Sequence, residues 1–88
     1  MYRLSRSARG SRDLYADVER IAGLIQDEGF GDVAAELESR VAVGSTGTEI
    51  LMSVADTLTR FMDTKPAITE ALTHDAADLL RRIHRLLR

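Results

Sequence analysis

Apolar residues recur along this chain at intervals of three and four, the period of helices that bury one side. Leu14, Val18, Ile21 and Ile25 fall in one narrow stripe, with Asp13, Glu19, Arg20 and Asp27 elsewhere on the same helical surface. Ser11 is placed to cap that helix and Gly29 to end it in a left-handed turn, which predicts a first helix over 11–28. After Gly29-Phe30-Gly31, Asp32 is the expected N-cap of a shorter helix, 32–43, with Val33, Leu37 and Val41 on one face. Two glycines in so tight a link favour an antiparallel αα-hairpin.

The third helix has the clearest start. Thr46-Gly47-Thr48-Glu49 matches a capping box, in which hydroxyl and carboxylate satisfy each other's backbone N–H groups, and it predicts a helix over 47–62. Ile50, Leu51, Val54, Ala55, Leu58, Phe61 and Met62 cover an arc wide enough for two neighbours, which marks this helix as the expected centre of the fold. Asp63-Thr64-Lys65-Pro66 breaks the pattern, and Pro66 suits the first turn of a fourth helix, 66–87. That helix carries a leucine-rich face of Ile68, Leu72, Ala76, Leu79, Leu80, Ile83, Leu86 and Leu87. No sustained period-two alternation predicts a strand. The expected fold is all-α: a small antiparallel bundle of about four unequal helices in one domain, 11–88, behind a basic arm, 1–10. The unequal lengths argue against a regular four-helix bundle.

Composition narrows the function classes. The 88 residues include no cysteine or tryptophan, so disulfide frameworks and thiolate metal sites are excluded. The longest apolar runs are two or three residues, so no segment is expected to cross a membrane. Below roughly 80 residues a single core seldom supplies more than about 3–5 kcal/mol, and this chain stands just above that length. A second copy covering Leu72, Leu79, Leu80, Ile83 and Leu87 is therefore a candidate source of further burial, making a homodimer an alternative expectation.

The formal charge of −2 conceals a strong asymmetry. Arg3, Arg6, Arg9 and Arg12 occupy 1–12 without an acid, and Arg81, Arg82, Arg85 and Arg88 occupy 81–88 without one. All fourteen acids lie between, against Arg20, Arg40, Arg60 and Lys65. Asp13, Asp17, Asp27, Glu28, Asp32, Glu36 and Glu38 fall on the first hairpin, opposed there only by Arg20 and Arg40. Such a distribution bears on partners and association rates rather than on fold. The acid-free N-terminus has the composition of an organelle presequence, but it is short and lacks the apolar core of a secretory signal; the expected compartment is the cytoplasm.

Candidate chemistry is sparse. Gly44-Ser45-Thr46-Gly47-Thr48 opens a helix as a phosphate loop would, yet it lacks the lysine and the preceding strand, and Glu49 would repel an anion. Glu70, His74 and Asp78 share a side of the fourth helix at ligand-like spacing, but that side lies opposite the leucine face, and an Asp78–Arg82 pair accounts for its charges. No nucleophile and base can be assembled, and neither metal nor cofactor is expected. The arginine ends suit a nucleic-acid backbone, but no recognition helix or stacking aromatics accompany them, so nucleic acid ranks third. The leading expectation is a non-catalytic protein-binding module of the inhibitor, immunity or antitoxin kind. It would meet a basic protein through Asp13, Asp17, Asp27, Glu28, Asp32 and Glu36. The alternative is a self-associating structural or adaptor subunit.

Overall fold

The computed structural model describes residues 11–43 and 46–87, the first three by backbone alone. Four helices account for most of them: α1 Ser11–Asp27, α2 Gly31–Val43, α3 Gly47–Asp63 and α4 Glu70–Leu87. Strands are absent among the described residues. The predicted arm, 1–10, and the Ser11 side chain lie outside the described residues and side chains.

Each helix packs on two others. Helix α1 lies against α2 and α4, and α3 lies against α2 and α4, so the four close into a ring. Helix α3 meets two neighbours, as its wide apolar arc predicts, but so does every other helix, so it is not the centre of the fold. Contacts between Glu28 and Thr69 and between Asp17 and Arg82 set the end of α1 beside the start of α4, and the reverse. These two helices are thus antiparallel, and Glu36 of α2 against Thr57 and Arg60 of α3 gives the same sense. The core holds most of the predicted residues, Leu14, Val18, Ile21, Ile25, Leu37, Leu51, Val54, Leu58, Leu72, Leu79 and Ile83, but in α2 Ala34 is buried where Val33 and Val41 are only partly so, and Leu86 of the predicted α4 face is 48% exposed. Phe30 and Phe61 pack edge to face, ring centroids 5.1 Å apart, and close the end of the core.

The helix ends show which local signals prevailed. Gly29 has φ +102°, and around it Phe30 N–H donates to Ile25 O (3.1 Å) and Gly29 N–H to Gln26 O (3.0 Å). This is a complete Schellman motif, and it turns Phe30 onto the core directly. Phe30 O then accepts from Ala34 N–H at 3.1 Å, so Phe30, and not Asp32, is the N-cap of α2. Asp32 sits within the first turn, where a negative charge suits the helix dipole. Thr46 caps α3 as predicted, its Oγ1 accepting from Glu49 N–H at 3.1 Å.

The fourth helix starts later than expected, at Glu70 instead of Pro66. Lys65 adopts φ +53°, the left-handed residue after α3, and its N–H reaches Met62 O at 3.0 Å. Pro66 then occupies the position whose N–H would complete the motif, and it has none. Thr64 supplies the missing donor: its Oγ1 bonds Phe61 O at 2.6 Å. Pro66 is thus part of the stop of α3. The start of α4 falls to Thr69, whose Oγ1 accepts from Leu72 N–H at 3.2 Å while its carbonyl accepts from Thr73 N–H at 3.0 Å.

Candidate protein-binding surface

Two interfaces of the ring are pinned by polar side chains, and three of the sequence-predicted acids are the pins. Glu28, just beyond α1, receives both donors of Thr69: the N–H at 2.9 Å on Oε1 and the hydroxyl at 2.8 Å on Oε2. The carboxylate of one helix therefore completes the N-terminal cap of another. Its charge lies at the positive end of the α4 dipole, where it is favoured.

Asp17 bonds Arg82 across the α1/α4 interface. The two side chains are one-quarter to one-third exposed, which makes this the most sheltered ion pair described. Asp17 raises the Arg82 guanidinium further above its usual range. Asp78 adds the predicted pairing along α4, 3.2 Å from Arg82 Nε, though without the alignment of a hydrogen bond. Arg20 lies 3.5 Å from both Asp17 and Asp75, and Arg81 lies 3.2 Å from Asp78. These outer pairs are half exposed and contribute about 0–1 kcal/mol each.

Glu36 performs the same role between α2 and α3. Its Oε2 accepts from Arg40 at 3.0 Å, from Thr57 Oγ1 at 3.2 Å and from Arg60 at 3.4 Å. The Arg40 hydrogen bond, aided by Thr57 and both arginine charges, holds the carboxyl below its ordinary value of 4.5. Thr57 is the one buried polar side chain described, and Glu36 is the acceptor that permits its burial. A cleft of about 310 Å³ opens over this cluster, lined by Phe30, Val33, Glu36, Thr57, Arg60, Phe61 and Thr64.

The predicted acidic face is therefore divided. Asp17, Glu28 and Glu36 are occupied within the chain, and the Asp13 side chain lies outside those described. Asp27 and Asp32 are exposed and make no ion pair among the described residues. Two acids absent from the predicted surface join them: Asp63 ends α3 and Glu70 begins α4, both exposed and without an ion pair among the described residues. The antiparallel ring brings all four to one end, where the cations described are Lys65 and, in the last turn of α3, Arg60, which is paired with Glu36 and Asp56. Glu19 and Glu38, exposed along the hairpin, extend the acidity toward its middle. At the opposite end stand Arg81, Arg82 and Arg85. The sequence placed Asp63 and Glu70 in a different hairpin, so only the topology could add them.

The residues predicted for self-association are mostly spent on the core. Leu72, Leu79 and Ile83 are at most 2% exposed, and Leu80 and Leu87 are half-buried against the same cluster. The fourth helix thus covers its leucine face with α1 and α3. Among the described residues no three His, Asp or Glu side chains converge as metal ligands would, and His74 is exposed beside Asp75. No helix described is long and apolar enough to cross a membrane. The chain matches no protein-family model, and comparison with curated proteins and with solved structures likewise gives no match.

Proposed function

We propose that this chain is a non-catalytic protein-binding module that meets a basic partner through its acidic end, in the manner of a small inhibitor, immunity or antitoxin-like protein. The observation that carries the reading is the set of exposed, unpaired acids Asp27, Asp32, Asp63 and Glu70 gathered at one end of the ring. Asp17, Glu28 and Glu36 are tied up in interhelical contacts, whereas these four make no hydrogen bond or ion pair among the described residues. Asp32 and Glu70 gain a little from helix N-termini, but Asp27 and Asp63 sit at C-terminal ends, where the dipole disfavours negative charge. Such a surface attracts a basic protein over several ångströms and raises its association rate.

The structure also selects the variants that test this. Reversing Asp17 or Glu28 would break interhelical contacts and confuse instability with lost binding. Asp27→Lys/Asp32→Lys leaves every described hydrogen bond intact. The purified chain and this variant are each used to capture proteins from a lysate of the source cells, and the captured protein is titrated against both by calorimetry. The proposal expects a basic protein whose affinity for the variant falls at least about tenfold and whose binding weakens with salt. Equal capture by both chains refutes it.

A further inference from the structure

The cleft between α2 and α3 opens at the acidic end. Phe30, Val33 and Glu36 line it from the start of α2, and Thr57, Arg60 and Phe61 from the second half of α3. The Phe30 and Phe61 rings, 5.1 Å apart and inclined at 68°, give it an aromatic floor. Asp32 precedes Glu36 by one helical turn and Asp63 follows Arg60 by one, so an exposed, unpaired acid stands beside each wall. The volume, about 310 Å³, lies at the lower limit of the ~300–1,000 Å³ of clefts that enclose a free drug-sized molecule, and it suits one large side chain.

The chemistry inside the cleft differs from that of its rim. Glu36 Oε2 takes the bonds from Arg40, Thr57 and Arg60, while Oε1 accepts none of the hydrogen bonds described. Two arginines already offset this carboxylate, so a further cation entering the cleft gains little there. A neutral N–H or O–H fits the spare oxygen better. Tyrosine and tryptophan carry such a donor on an aromatic body, and a third ring extends the edge-to-face packing of Phe30 on Phe61. Outside, Asp27, Asp32 and Asp63 favour positive charge. The complementary segment therefore sets an aromatic anchor with a polar tip between basic residues, the composition of a binding hot spot.

We propose that this cleft seats a tyrosine or tryptophan side chain of the basic partner, flanked there by lysine or arginine, an inference that rests on the acidic end being the partner surface. The chain has no tryptophan, so the fluorescence of a peptide tryptophan reports binding directly. Capped Lys-Lys-Trp-Lys-Lys and Lys-Lys-Ala-Lys-Lys are each titrated against the full chain by calorimetry, the first also by fluorescence. Tryptophan emission is expected to shift to the blue, and the tryptophan peptide to bind about tenfold or more tighter than the alanine peptide. Amide shifts of the wild-type chain are expected to concentrate on Phe30, Val33 and Phe61. Val33→Phe, which fills the cleft, is expected to remove the preference, and Asp27→Lys/Asp32→Lys to weaken both peptides. A tryptophan peptide that binds no tighter than the alanine peptide, or shifts that fall elsewhere, overturn the inference; if both peptides still weaken with the charge variant, the acidic-end reading survives that failure. A tryptophan preference indifferent to salt and to the charge variant upholds the aromatic seat and removes the acidic-end reading instead. Absence of binding by both peptides at millimolar concentration also overturns the inference.

Discussion

Replacing Glu28 by alanine removes a carboxylate that accepts two hydrogen bonds from Thr69 across 41 positions of sequence. The Thr69 hydroxyl keeps its bond from Leu72 N–H, so α4 retains its own cap. What is lost is the partner of the Thr69 N–H, one of the orphan donors at a helix start, and the tie between α1 and α4. A hydrogen bond to a charged group contributes about 1.5–3 kcal/mol when buried. Both bonds here are exposed to water, which substitutes for part of each. A total of about 1–2 kcal/mol follows, within the range of roughly 0.5–2 kcal/mol for removing an N-cap. For a domain of this size that lowers the melting temperature by roughly 4–16 °C. Glu28→Gln keeps one acceptor for the N–H and is expected to lose about half as much. Urea denaturation gives the stability, and amide exchange locates it: Thr69 N–H is expected to exchange faster in the alanine variant. A double-mutant cycle with Thr69→Ala isolates the hydroxyl contact, because the N–H survives that change. Were Glu28→Ala to fall within about 0.5 kcal/mol of wild type, as ordinary surface changes do, with Thr69 exchange unaltered, the carboxylate would not be a clasp.

Gly29→Ala is expected to cost about 1–2 kcal/mol from conformation alone, since φ is +102° and no atom lies within 4 Å of the added Cβ. A urea midpoint equal to wild type at unchanged slope would contradict the Schellman assignment. Glu36 governs an acid limb of stability. Its folded value is depressed below 4.5, so its contribution is present above that pH and is lost as pH falls through the lowered value. Glu36→Gln is expected to show less stability at neutral pH and a shallower loss below pH 4.5. Parallel acid titrations of the two proteins by circular dichroism would show otherwise if the curves differ only by a constant offset.

The fold was legible where one signal dominated. The stripes of α1 and α3, the Thr46 cap and the Gly29 turn are each dictated by residues within a few positions, and the structure has them. Pro66 misled because proline suits both the first turn of a helix and the residue after one. The left-handed Lys65 and the hydroxyl of Thr64 decide for the second role, and neither is written in a spacing pattern. The acids were harder. Asp17, Glu28 and Glu36 look like Asp27 and Asp32 in sequence. They differ because Arg82, Thr69, Thr57 and Arg60 face them from distant helices, and that pairing exists only once the ring is closed. The leucine face of α4 misdirected for the related reason that a stripe reports burial without naming what covers it.

The ring also bears on how the chain reaches its native state. Three of its interfaces join helices adjacent in sequence, so they close short loops early and rapidly. The seam of α1 with α4 joins the first and last of the described helices. It is the least extensive of the four interfaces and holds the Asp17–Arg82 and Glu28–Thr69 contacts. Interactions that form after the rate-limiting step govern escape from the native state rather than entry to it. If the seam closes after that step, weakening it would leave the folding rate nearly constant and let the bundle open sooner.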